Sequence, residues 1–194
     1  MKKENIYQMM FLTFFGMLGS IIVGFVFFNK SIFIPANSNF QFVVVGIVGS
    51  LFFGLLEFGS SKEQIFSMFF ILVLHLIIFT GRYISLAFII RDVFYLGAIF
   101  LSIKIYHSFL QRYPKLNYFL RSFALVLFYG VISTLFIIIV FMINTGAGFP
   151  PKGFLYIIAR NSILIAVGVG LGIDFYLLNQ KKIQGLFSTN RTIK

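Results

Sequence analysis

Two short stretches carry charge inside otherwise apolar sequence, and each combines an arginine with a tyrosine. In one, Arg91 and Asp92 precede Tyr95; in the other, Tyr156 precedes Arg160 and Asn161. Residues four apart share a helix face, so Arg91 with Tyr95 and Arg160 with Tyr156 each form one polar surface. A guanidinium fork grips carboxylate or phosphate in a directed way. A tyrosine adds a hydroxyl and a ring on which a ligand or a guanidinium can lie. If both surfaces face one cavity, two arginines against one aspartate leave it net positive, which suits a small anionic solute.

His75 lies at comparable depth in the preceding apolar segment, and with Asp92 it supplies the parts of a proton or charge relay. A second arrangement of the same residues needs no ligand. Asp92 would pair with Arg160 across two helices, and Asn161 and His75 would complete the hydrogen bonds. Such a pair holds helix register and by itself is weak evidence for stability or function.

Most other chemistry is missing. Sixteen Lys and Arg stand against five Asp and Glu, with two His and no Cys. One carboxylate at membrane depth cannot form a catalytic dyad or a two-metal site. Without cysteine there is no disulfide, thiolate nucleophile or Cys-ligated metal. No H-E-x-x-H, G-x-S-x-G or P-loop is present, and "GVGLG" (Gly168 to Gly172) lies within an apolar run rather than after a strand. His75 and His107 fall on different segments, which argues against haem or zinc. The residues therefore argue against an enzyme and imply no catalytic residue, metal or cofactor.

The elements that must position these side chains are apolar segments. Of 194 residues, 59% are hydrophobic and 11% charged, 29 are Phe, and the mean hydropathy is +0.98, outside the range of soluble domains. Runs of about 20 apolar residues, the length that crosses a bilayer, recur along the chain. Six helical spans are expected near 6–28, 40–58, 64–81, 83–106, 118–143 and 154–179, because lipid requires each segment to satisfy its own backbone. Residues 1–179 form one all-α integral membrane domain, and 180–194 a short basic tail. The turn between the third and fourth spans belongs at Gly81-Arg82, with Arg91-Asp92 as the competing place. The first apolar run is too long for a signal peptide and reads as a retained anchor.

The net charge of +11 orients this chain and does not indicate nucleic acid. With the N-terminus inside, eleven Lys and Arg, among them Lys2, Lys62, Lys104, Arg112, Lys115, Arg121, Lys181 and Lys194, lie at inner positions; Lys30, Arg82 and Lys152 lie outside. That bias places both termini in the cytoplasm. The expected location is a cell membrane, bacterial inner or plasma membrane ahead of an organelle. At about 1.5 Å per residue, His75, Arg91, Asp92, Arg160 and Asn161 all fall at the centre or in the outer half. Asp174, Glu57 and Lys104 fall near inner ends, within reach of water or headgroups.

Small residues recur at every fourth position. The first span carries Gly16, Ser20 and Gly24, the second Gly46, Ser50 and Gly54, and the sixth Ser162, Ala166 and Gly170. In lipid such flat faces let helix backbones approach, either within the monomer or against another membrane subunit. The first two stripes match as G-x-x-G-S-x-x-x-G, but the match does not extend beyond Gly54. In size, six-span topology and the Gly16-Ser20-Gly24 stripe, the chain is similar to the substrate-binding S components of energy-coupling-factor transporters. That resemblance implies a small-solute binding or transport subunit whose energy comes from a partner. The competing expectation is a non-catalytic assembly or sensory-input protein in which the Arg-Asp cluster is structural.

Overall fold

The computed structural model describes residues 3–28, 40–80, 86–146 and 148–188, except the side chains of 75, 76, 78–80, 87, 88 and 186–188. Six helices and, among the described residues, no strands make up the chain: α1 (Lys3–Phe28), α2 (Gln41–Phe58), α3 (Ser61–Thr80), α4 (Leu86–Arg112), α5 (Tyr118–Thr145) and α6 (Lys152–Ser188). Among the described residues, α1, α2, α4, α5 and α6 each contain a stretch long and apolar enough to cross a membrane, which fits a membrane protein.

Local chemistry sets the helix ends. Gly59 closes α2 by donating its N–H to the Leu55 carbonyl at 2.9 Å. Ser60 and Glu63 then form a reciprocal cap for α3: the Ser60 N–H donates to Glu63 Oε2 at 2.7 Å, and the Glu63 N–H to Ser60 Oγ at 3.4 Å. Asn117 caps α5 by accepting from the Phe119 N–H at 3.3 Å. Arg121 ties down the preceding connection by donating to the carbonyls of Leu116 at 3.0 Å and Pro114 at 2.6 Å. Gly146 ends α5 at a φ of 59°, a left-handed conformation that glycine adopts without a Cβ clash.

Five helices form a ring. α1 packs between α2 and α6; α4 packs on α2, and α5 bridges α4 and α6. α3 leans on the outside against α2 and α4, with Ile65, Phe66, Phe69 and Phe70 exposed. The core includes Leu12, Phe42, Phe52, Ile99, Ile103, Leu125, Ala166, Val169 and Ile173. The ring has two ends. We refer to the end at which α2, α4 and α6 begin and α5 finishes as the upper end, and to the opposite one as the lower end.

Small residues make the α1 contacts possible. A Cβ on Gly46 would stand 2.6 Å from Ser20 Oγ and 3.0 Å from the Gly16 carbonyl oxygen. On the other side of α1, a Cβ on Gly168 would stand 2.7 Å from the Ser20 Cα, and one on Gly172 2.5 Å from the Gly16 Cα. Gly54 meets Met9 and Leu12, and Gly170 meets Ser122 and Leu125. Gly16, Ser20 and Gly24 are buried, as are Ser162 and Ala166. The first two stripes therefore face one another inside this chain. α6 meets the first through Gly168 and Gly172 while Gly170 of its own stripe faces α5, and the Gly16-Ser20 face is covered by α2 and α6.

The helix bounds remove the competing turn and carry the last helix further than the sequence expectation. α4 runs unbroken through Arg91-Asp92 to Arg112, which removes that dipeptide as a turn; Gly81 and Arg82 lie outside the described residues. α6 continues through 180–188, where a tail was expected, because Ile183 is buried and Gln184 donates to Gln8 of α1 at 3.3 Å. Residues 189–194 lie outside the described residues.

Candidate functional site

At the upper end, α2, α4, α5 and α6 enclose a cavity of about 480 Å³, within the roughly 300–1,000 Å³ typical of small-molecule sites. Its polar lining is Gln41, Arg91, Asp92, Tyr95, Asn144 and Thr145. Its apolar walls are Phe136, Ile137, Val140, Phe141, Phe154 and Ile158. The walls are braced by edge-to-face or tilted ring pairs, Phe94 with Phe136 at 5.7 Å and Phe141 with Phe154 at 5.1 Å. Both charges are thus on α4, Gln41 of α2 and Asn144 and Thr145 of α5 add uncharged polar groups, and the rest of the lining is aromatic or aliphatic.

The charged part is a pair of sequence neighbours. Arg91 Nε donates to Asp92 Oδ1 at 2.7 Å, with the arginine side chain 40% exposed and the aspartate 1%. The long guanidinium arm lets residue 91 fold onto residue 92 although the two point in different directions from the helix. Tyr95, one turn on, is half-buried against the core. Thr145 donates its hydroxyl to the Phe141 carbonyl at 2.8 Å.

Arg91, Asp92 and Tyr95 are brought together on this cavity, whereas Tyr156, Arg160 and Asn161 are not part of its lining. Tyr156 is 68% exposed. Arg160 donates to Asn161 Oδ1 at 3.2 Å and lies 5.3 Å from the Phe28 ring of α1. A face of α6 away from the cavity therefore carries the second Arg-Tyr motif, and Asp92 takes Arg91 as its ion-pair partner. The side chain of His75 lies outside the described residues. Two arginines facing one cavity, the premise for an anion site, are not assembled among the described residues.

A second polar cluster occupies the lower end, where sequence reading singled out no site. Tyr176 and Gln184 of α6 both donate to Gln8 Oε1, at 3.2 and 3.3 Å. Asp174 accepts from Ser122 and, at 3.5 Å, from the Tyr106 hydroxyl. His107 Nε2 lies 2.8 Å from Glu57 Oε2, its ring set edge-to-face on Phe53 at 5.3 Å. These contacts tie α1 to α6, α2 to α4, and α4 and α5 to α6. Asp174 is only 4% exposed, so it does not reach water as its depth in the sequence suggested. Its burial against α4 and α5 follows from Gly170, one turn earlier, which brings α6 close to Ser122.

Among the described residues no group of three or more His, Asp and Glu is placed to hold a metal ion. Comparison with models of protein families, with curated proteins and with solved structures finds no match. The likeness to energy-coupling-factor S components therefore rests on size, topology and the first-helix stripe alone.

Proposed function

We propose that this chain is a membrane-embedded binding subunit for a small solute, with the upper-end cavity as its site and a separate partner as its source of energy. The observation that carries this reading is the cavity itself: a space of ligand size with aromatic and aliphatic walls and a few polar groups, among them Arg91, Asp92 and Tyr95. Sites for small molecules are built in this way, with few polar groups fixing orientation among apolar walls. The distribution of Lys and Arg supports an orientation with both termini in the cytoplasm and the upper end outside. Solute would then enter from the external side. The sequence contains no P-loop, which supports an energy source on a separate partner.

The test is purification from native membranes in mild detergent, with mass spectrometry of what remains bound. A small molecule retained by the wild type and lost from an Ile137→Trp variant, whose indole fills the cavity, is the expected result. A second reading, an assembly or sensory-input protein, draws on the pairing of Asp92 with Arg91, in which the two opposite charges already meet without a ligand. Recovery of a stoichiometric protein partner and of no small molecule would favour that reading. A partner docked on the Gly16-Ser20 face is disfavoured, because α2 and α6 already cover it.

A further inference from the structure

The second Arg-Tyr motif has no part in the cavity and faces outward. Lys152, Tyr156 and Arg160 follow one another at four-residue steps of α6 and are all exposed, a stripe about 12 Å long. Arg160 is held from two sides: Nε and Nη2 donate to Asn161 Oδ1 at 3.3 and 3.2 Å, and the guanidinium lies 5.3 Å from the centre of the Phe28 ring. Neither contact supplies negative charge. Among the described residues, both N–H groups of Arg160 Nη1, the Lys152 ammonium and the Tyr156 hydroxyl meet no acceptor. The acidic residues lie elsewhere: Glu4, Glu57, Glu63 and Asp174 belong to the lower end, and Asp92 is buried beside Arg91.

Phe28 is the last residue of α1, and Asn29 and Lys30 follow it in sequence. Arg160 therefore stands at the level where the apolar run of α1 ends, which is the level of lipid phosphates. Three and five turns further along α6, Leu171 and Leu178 are exposed on the same face. A guanidinium facing lipid is costly unless its charge is met, and phosphate meets it in a bidentate geometry. A choline or ethanolamine headgroup carries a cation that Lys152 repels, whereas an anionic headgroup matches both positive side chains. A docked protein would have to bring its own carboxylate to this depth. We infer that this face of α6 binds an anionic glycerophospholipid, with the phosphate on Arg160, the Tyr156 hydroxyl donating to a phosphate or ester oxygen, and an acyl chain along Leu171.

The chain has no Trp, so one introduced indole reports its own lipid neighbours. Leu171→Trp places it at the acyl chains of a lipid held by Arg160, and Leu127→Trp, exposed on α5, is the control. Each full-length variant is reconstituted in phosphatidylcholine bilayers with rising fractions of dibrominated phosphatidylglycerol or dibrominated phosphatidylcholine, and bromine quenching gives the relative affinity of the two lipids. Phosphatidylglycerol should be preferred about fivefold at Leu171→Trp and about equally with phosphatidylcholine at Leu127→Trp. Adding Arg160→Gln should abolish the preference, whereas Arg160→Lys, which keeps the charge, should retain part of it. Quenching by dibrominated phosphatidylcholine should be the same in all three, a readout that a misfolded variant would change. Equal preferences at the two reporters, or a preference unmoved by Arg160→Gln, overturns the assignment. Protection of Leu171→Trp from both lipids overturns it in favour of a protein covering the face. None of the three stripe residues lines the upper-end cavity, so either failure leaves the proposed solute site standing.

Discussion

Arg91 and Asp92 are consecutive residues of α4, yet they differ almost completely in exposure: the arginine is 40% exposed and the aspartate 1%, with 2.7 Å between Nε and Oδ1. The pair is therefore asymmetric. Removing the arginine takes a 2.7 Å partner from a carboxylate in the protein interior, whereas removing the aspartate leaves a cation that can turn outward. Arg91→Ala should cost about 2 kcal/mol, below the 3–5 kcal/mol of a fully buried pair because Arg91 is partly exposed. Asp92→Ala should cost less, and the Arg91→Ala/Asp92→Ala double variant should recover part of the Arg91→Ala loss. Thermal unfolding in a fixed detergent measures all three. Equal losses in the single Arg91 variant and the double variant would show that the arginine does not neutralise the carboxylate.

The α1–α6 contact depends on glycine in a way that can be measured by adding one carbon. A Cβ on Gly168 meets the Ser20 Cα at 2.7 Å and one on Gly172 meets the Gly16 Cα at 2.5 Å, both backbone atoms that no rotamer change can move. Nothing lies within 4 Å of a Cβ on Gly153, in the first turn of the same helix. Gly168→Ala and Gly172→Ala should each lose about 2–3 kcal/mol through forced separation of the helices, and Gly153→Ala should be neutral or slightly stabilising. A thermal midpoint unchanged by Gly172→Ala would mean that α1 and α6 are not packed backbone to backbone.

How much of this was legible follows from the physics of each feature. The number of helices and their approximate bounds were readable because the apolar runs are long and backbone satisfaction in lipid leaves helices as the solution. The Gly16-Ser20-Gly24 and Gly46-Ser50-Gly54 faces were readable as packing surfaces because spacing of four is a local property. Which faces meet is not local. Arg91 and Arg160 looked equivalent in sequence, but α6 presents Ile158 to the cavity and turns Arg160 toward Phe28. The lower-end cluster was missed because its members are isolated polar residues far apart in the chain. Gln8 and Tyr176 are separated by 168 positions, and no spacing rule joins them.

Within that cluster the two hydroxyl donors to Asp174 should not be equivalent. Ser122 makes a short contact with Oδ2, whereas the Tyr106 hydroxyl stands 3.5 Å from Oδ1, at the limit where a hydrogen bond contributes little. Ser122→Ala should therefore lower stability by about 1–2 kcal/mol, as loss of a bond to a buried carboxylate does. Tyr106→Phe, which keeps the buried ring, should cost less than about 0.5 kcal/mol. The comparison uses thermal unfolding of the two variants side by side, and a reversed order would show that the tyrosine is the main donor.

The external position of the cavity is the premise of the proposed solute route, and the absence of cysteine makes it directly testable. Lys115 lies in the exposed connection between α4 and α5, and Gly148 in the exposed connection between α5 and α6, on opposite ends of the bundle. A Cβ on Gly148 meets nothing within 4 Å, so a thiol there is accessible without disturbing the fold. Each residue changed to cysteine provides the one thiol in its chain. With the basic lower end in the cytoplasm, a membrane-impermeant maleimide added to intact cells should label Gly148→Cys and spare Lys115→Cys. Everted vesicles should give the reverse. Labelling of Lys115→Cys in intact cells would put the cavity on the cytoplasmic side, and the solute would then be one taken from inside the cell.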